Sequence, residues 1–382
     1  MNRYRIALVL PLLVLLAACG PKPERSESVL DNPEYHVSQG LKHLQQGTLD
    51  QAEAEFARAN ELDPKYAHAW AGIALVRAQQ GQIDEAEDLA DEAVDKAKKD
   101  PFVWAARGRV YSLITEPGDY DGDIDDQFEK AVDLDADFDL AWYWWGLAKK
   151  RAWDFDDAGA KFARAIALRG EWIAEADAAY AEVQDILRAA PASRIGVKIA
   201  QVDTLDRADL SVLFLEELKL AEVMERTMGV TVDPKYVPPK DANLLPPEME
   251  GKDMSLVPQD VRGHWAETWI LQVIDLGVME IAPDRRFYPD QPVTRGEFAL
   301  FLQNIMANVL HDETLPTKYI GEPTRFKDMR SGTATYNAAA LAVDRGFMDA
   351  DIMGRFQPDG YVTGAEALLS IRAFQDHLEY EF

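Results

Sequence analysis

GLKHLQQGTLDQAEAEFARANELDP, residues 40–64, decides the fold. Apolar and small residues fall three and four apart through it, the period of a helix face. Gly47 breaks the run, Ala52, Phe56 and Ala59 resume it, and Pro64 closes it. Thirty-four residues further on stand Gly81, Ala86 and Ala93, and Trp70 and Trp104 keep the same interval. A fixed period of this length means a stack of supersecondary units, each burying its apolar face against the next. Small Ala52 and Ala86 let paired helices cross closely, and bulky Phe56 and Phe162 fill the gaps between repeats.

This pattern resembles the tetratricopeptide repeat (TPR), a helix–turn–helix of that period. Four repeats are expected over 33–170. The first rests on Gly40, Gly47, Ala52, Phe56, Ala59 and Pro64. The second rests on Trp70, Gly81, Ala86 and Ala93, with Ala90 where the family usually has Phe. The third rests on Trp104, Gly108, Tyr111, Phe128 and Ala131, with an acidic insertion near Pro117–Asp126. The fourth rests on Trp142, Gly146, Ala158, Phe162 and Ala165. The resemblance implies a solenoid whose concave face binds a peptide or protein. Trp142 and Trp145 match packing positions. Trp144, between them, is the candidate protein-binding residue, with stacking inside the solenoid as the alternative. An amphipathic segment at 171–190 is expected to cap the last repeat.

Upstream, Arg3 and Arg5 precede an apolar run from Ile6 to Leu16, then Leu16-Ala17-Ala18-Cys19. A basic start, a short apolar core and small residues before the cut make a secretory signal, too short to span a bilayer as a mature helix. The stretch resembles the lipobox of a bacterial lipoprotein precursor, with a plain signal peptide or short anchor as the alternative. The resemblance implies a signal over 1–18 and lipidation of Cys19, the one cysteine in the chain. A single acyl chain binds membranes only marginally, so the diacylglycerol and N-acyl chains of this family are what make such an anchor stable. Residues 19–32 read as a polar tether, and Gly20 after the cysteine points to the outer membrane by analogy with enterobacterial sorting. With one cysteine there is no disulfide framework and no thiolate zinc site.

Downstream, residues 231–256 are rich in proline and read as an extended linker. The last segment begins Asp260-Val261-Arg262-Gly263-His264-Trp265. It runs through Leu276-Gly277-Val278 and Phe287-Tyr288-Pro289-Asp290 to Val293-Thr294-Arg295-Gly296-Glu297-Phe298. This resembles the S-layer homology (SLH) domain. One copy is expected over 257–311 and a second over 323–376, where Gly277, Phe287, Pro289, Thr294 and Glu297 recur as Gly346, Phe356, Pro358, Thr363 and Glu366. Ala334 and Gly364 depart from the pattern. Asp206-Arg207-Ala208-Asp209 opens a helix that marks a degenerate copy over 191–230, as three copies usually pack in a pseudo-threefold prism.

Thr294 and Glu297 form a capping box. The resemblance assigns the intervening Arg295, and likewise Arg207, to contact with an acidic wall glycan, a role Gly364 cannot take. Guanidinium beside a helix N-terminus suits an anion. Trp265 is a glycan-stacking platform or, preferentially, part of the core.

The fold class expected is mainly α: a TPR solenoid followed by an α-helical SLH-type module with long loops. A formal charge of −27, two units more negative once Arg3 and Arg5 are removed, repels nucleic acid. The alternating aspartates at 119–125 fail the EF-hand pattern, because Ile124 and Lys130 stand where Gly and Glu are needed. They and the run at 133–139 read as solvated loops, with weak calcium binding as the alternative. No zinc-protease, nucleophile-elbow or P-loop motif is present, so neither an enzyme nor a cofactor is implied. The expected partners are a membrane through Cys19, peptidoglycan or a wall polysaccharide, and a protein at the TPR face. The competing expectation is an assembly or secretion lipoprotein whose SLH copies only pack.

Overall fold

The computed structural model describes residues 28, 30–228 and 257–381. Cys19, the signal and the proline-rich 231–256 lie outside them. The described residues form sixteen α-helices, a 3-10 turn at Leu315–Thr317 and two isolated β-bridges, with no strand among them. The chain divides into two units, 1–177 and 178–382.

The first unit is four helix pairs: α1 (Pro33–Gln45) with α2 (Leu49–Leu62), α3 (Ala67–Gln79) with α4 (Ile83–Lys96), α5 (Pro101–Ile114) with α6 (Gly122–Leu134), and α7 (Asp139–Arg151) with α8 (Phe155–Leu168). Their starts are sequence-coded. Asn32, Asp100, Asp121 and Asp154 each accept a hydrogen bond from a first-turn amide, and Pro33 and Pro101 follow two of those caps. Gly47 and Gly81 take φ of 71° and 75° in the turns within the pairs, a conformation that suits glycine.

Aromatic wedges against glycine hold the pairs together. A Cβ on Gly40 or Gly72 would come within 2.5 and 2.3 Å of the Phe56 ring, so Phe56 locks its own repeat to the next. Phe162 fits Gly146 in the same way, at 2.4 Å. Three first-helix tryptophans at matching positions also donate their indole N–H to a carbonyl six residues back: Trp70 to Pro64, Trp104 to Lys98 and Trp142 to Ala136, each at 3.0 Å. The result is one continuous core from Val37 to Trp172.

The acidic insertion is shorter than the sequence suggests. It occupies only 115–121, because Asp121 caps α6, and Asp123 and Asp125 belong to that helix. Asp125 is not a solvated loop residue. It accepts from Tyr120 Oη (2.7 Å), Trp145 Nε1 (2.6 Å) and Lys149 Nζ (2.8 Å). Burial opposes its charge, but these three donors outweigh burial and hold its carboxyl below the usual range.

The boundary between the units falls inside α9 (Ile173–Ala189). The second unit continues with α10 (Arg194–Ala200), α11 (Arg207–Glu216), α12 (Leu220–Met228), α13 (Glu267–Asp275), α14 (Arg295–Leu310), α15 (Tyr336–Asp344) and α16 (Gly364–Glu381). Three backbone hydrogen bonds close a ring at its centre: Leu205 N–H to Val362 O (2.8 Å), Val362 N–H to Val293 O (3.1 Å) and Val293 N–H to Leu205 O (2.9 Å). All three residues are buried, and each stands two positions before the start of α11, α14 or α16. The starts of α11, α14 and α16 are therefore tied to one another through the residues that precede them.

Candidate functional site

The second unit is organised by what its arginines do. Arg207 donates from Nε to Phe287 O (2.8 Å) and from Nη2 to Glu280 O (3.1 Å), with its guanidinium over the Phe287 ring. Arg295 repeats this on acceptors sixty-nine residues further along the chain. It donates from Nε to Phe356 O (2.9 Å) and from Nη2 to Asp349 O (2.6 Å), lies over Phe356, and pairs Nη1 with Glu366. Each arginine thus staples the start of one helix to the loop before the next. Burial lowers the pKa of both, yet a guanidinium remains charged at neutral pH. The donors assigned to a glycan are engaged inside the fold, a role the sequence reading did not give them.

The receiving loops are built alike. Tyr288 and Gln357 both sit at φ 59°, an uncommon conformation for residues other than glycine. Asp260 holds the first by accepting from the Phe287 and Tyr288 amides. Asp328 holds the second by accepting from those of Phe356 and Gln357.

Gly364 breaks the staple series for a steric reason. A Cβ there would lie 1.6 Å from Ile199 O, because the last turn of α10 fills the space an arginine would need. The other end of α10, its start, is itself clamped. Buried Glu217 accepts from the Ala192 and Ser193 amides, Ser193 Oγ and Arg372 Nη2.

Trp265 is 53% exposed, so the preference for the core is overturned: the turn before α13 holds the ring outside. It lies 5.8 Å from His264 and 6.2 Å from Trp269, and Trp269 Nε1 donates to Glu216 (2.8 Å). Tyr288 is also exposed. An outward aromatic ring held by a fixed neighbour suits stacking on a sugar face. Nearby, Asp206 and Asp209 cap α11 as a carboxylate pair. Burial, then the neighbouring Asp206 charge, pushes Asp209 up to about 6, and burial also raises Asp206.

In the first unit, the first helices of the pairs line a cavity of about 190 Å³. Trp144 is 5% exposed and forms part of its wall, 5.9 Å from the Phe102 ring. It is therefore packed in the solenoid and also faces the cavity. Trp172 joins the wall, stacked 5.8 Å from Tyr143, and its amide donates to Asp139 Oδ2 (2.9 Å). Sequence reasoning missed Arg109 in that lining. The signal was there, since Arg109 stands at the ninth position of α5, where α1, α3 and α7 carry Leu41, Leu75 and Leu147.

Among the described residues, no group of three or more His, Cys, Asp or Glu is arranged to hold a metal ion, and no helix is long and apolar enough to cross a membrane.

These features define a helical-repeat scaffold joined in one chain to a second helical unit built from repeated loops and helices. A tetratricopeptide repeat model matches residues 43–110, and an S-layer homology domain model matches 259–299 and 325–368. The chain carries TPR repeats and two SLH domains. Both are non-catalytic families, associated respectively with protein interaction and with attachment to cell-wall polymers. No curated protein matches the chain.

Proposed function

We propose that the chain is a cell-envelope tether. Cys19 carries lipid and holds it to a membrane, the outer one by the Gly20 analogy. The distal unit binds peptidoglycan or a wall-linked glycan, and the solenoid recruits a protein partner. The observation that carries this reading is the pair of SLH matches on a unit that presents Trp265 outward. Residues 191–230 serve as the first of three copies, because Leu205 completes the backbone ring in register with Val293 and Val362. Trp265 is the sugar-stacking group, and Arg207 and Arg295 shape the binding surface by stapling its loops. Trp144 contributes to the partner-facing wall of the solenoid. Neither catalysis nor a cofactor enters this role.

One observation favours a second reading, an assembly or secretion lipoprotein with purely structural SLH copies. The two arginines carry their hydrogen bonds within the fold. Flotation separates the two. Proteoliposomes bearing the lipidated full chain are expected to carry purified sacculi upward through a density gradient. Cys19→Ala protein is expected to leave them at the bottom. Sacculi that stay down with the lipidated wild type would remove the tether reading.

A further inference from the structure

Two turns of the second unit share one backbone and differ at the apex. In the first, Ala282 N–H donates to Arg286 O (2.8 Å) and Arg285 N–H to Ala282 O (2.8 Å). At matching positions in the second, Asp351 N–H donates to Arg355 O (2.9 Å) and Gly354 N–H to Asp351 O (2.8 Å). Arg285 and Gly354 also match in φ, at 65° and 74°. The first turn carries Pro283 and Asp284 at its apex, ordinary residues for a solvated turn. The second carries Ile352 and Met353. Ile352 is fully exposed and Met353 is 55% exposed. Single exposed apolar residues are normal on a protein surface. Among the described residues, these two are the one pair of exposed large apolar side chains adjacent in sequence.

The apex is held firmly. Asp351 Oδ1 accepts from the Met353 and Arg355 amides (2.9 Å each), and Oδ2 accepts from Arg355 Nε (2.8 Å) and Gln357 Nε2 (3.2 Å). The amides of Asp351, Met353, Gly354 and Arg355 are thus all bonded inside the turn. A protein pocket can supply partners to a loop's amides, whereas an apolar lipid phase supplies none and demands this internal pairing. Cations stand at the base. Arg355 is exposed beside Asp351. Exposed Lys327 donates its amide to Gly354 O (2.9 Å), and its Cε lies 4.0 Å from where a Gly354 Cβ would stand. The carboxylates alongside are Asp351, occupied by those donors, and exposed Asp349, whose charge acts on Arg295. An apolar tip above basic residues has the layering of a segment seated between headgroups and acyl chains.

We propose that the 351–355 turn docks on a lipid surface, with Ile352 and Met353 inserted and Lys327 and Arg355 at the level of the headgroup phosphates. Because the turn is already ordered, insertion costs little conformational entropy. The contact does not depend on lipidation of Cys19 and would add to it. Two side chains bind a bilayer weakly alone, and a second attachment in the same chain raises their effective concentration at the membrane.

The test uses vesicles of phosphatidylethanolamine and phosphatidylglycerol with a nickel-chelating lipid, which hold the full Cys19→Ser chain by an N-terminal histidine tag. An environment-sensitive fluorophore is attached at Ile352→Cys or, in the matching turn, at Pro283→Cys. The label at 352 is expected to shift to the blue and to be quenched by nitroxide-bearing acyl chains. The label at 283 is expected to stay open to an aqueous quencher. Flotation with vesicles lacking the nickel lipid then compares the unlabelled Cys19→Ser chain with the same chain carrying Ile352→Pro and Met353→Asp, an apex that this turn already accommodates in its other copy. The apex variant should bind at least about tenfold more weakly, since fully burying one such side chain is worth roughly that factor. Lys327→Gln should weaken binding about fivefold. A label at 352 that lies no deeper than the one at 283 overturns the proposal, as does a parent chain that floats no better than the apex variant. A label at 352 that is shielded only when envelope proteins are added would assign the apex to a protein pocket and overturn it too. None of these outcomes bears on wall binding, which is read with sacculi.

Discussion

Replacing Gly364 with alanine tests how the second unit closes its ring. The new Cβ would stand 1.6 Å from Ile199 O, 2.6 Å from Ile199 C and 3.2 Å from Ala200 Cα. These are backbone atoms, so no rotamer change relieves the contact. Real Cβ contacts stay beyond about 3 Å, so the end of α10 must retreat by about 1.4 Å. That retreat pulls on the Gly364 N–H to Val202 O bond (2.9 Å) and on the Glu217 clamp around Ser193. Overpacking costs about 1–3 kcal/mol and the weakened hydrogen bond about 1. Alanine returns about 0.5–1 kcal/mol through the reduced entropy of the unfolded chain. The net expectation is a loss of about 1–3 kcal/mol. Native-state hydrogen exchange is the assay, read at the amides of α10 and α11. Gly332→Ala is the control, since nothing lies within 4 Å of its Cβ and its φ is ordinary. If Gly364→Ala protects those amides as well as the control does, the steric account of the missing arginine is wrong.

Other expectations follow from the same geometry. Arg295→Met removes two carbonyl contacts and the Glu366 pair, so it should destabilise the second unit by about 2–4 kcal/mol in urea unfolding; a change under about 0.5 kcal/mol would show that the staple is idle. Phe56→Ala empties the wedge between Gly40 and Gly72 and should cost the solenoid about 3–5 kcal/mol by the same measurement. Asp209, raised to about 6, holds a proton in the folded state that the unfolded chain releases near pH 4. Its effect therefore lowers stability as pH climbs from about 4 to about 6. Asp209→Asn should lessen that fall relative to wild type by about 1–2 kcal/mol, the full shift being discounted for partial exposure, and matching pH profiles for the two proteins would refute the assignment.

The solenoid was legible because its logic is periodic. Phe56, Gly40 and the thirty-four-residue interval are read directly from the chain, and the structure adds only that Phe56 also wedges against Gly72. The capping boxes were legible for a similar reason, since Asp206 with Asp209 and Thr294 with Glu297 lie within one turn. The arginine staples were not. Their acceptors are backbone carbonyls at Phe287 and Phe356, 80 and 61 residues away, and carbonyls carry no sequence signature. The explanation for Gly364 was hidden likewise, because Ile199 acts through its main chain. Trp265 was misread toward the core because a tryptophan in a motif usually packs, and only the path of the turn shows it facing out. Arg109 is a different case. Its register with Leu41, Leu75 and Leu147 was available, but the repeat was read for its packing positions and not for the residues between them.

The wall-binding claim is tested most directly by co-sedimentation of the full chain, prepared without lipid, with purified sacculi. The wild type is expected to pellet with the wall. Trp265→Ala changes an exposed ring and leaves the ring of backbone hydrogen bonds untouched, so it should fold and bind about tenfold more weakly. A wild-type chain that stays in the supernatant, with native walls and with walls stripped of their attached polymers, would contradict the account.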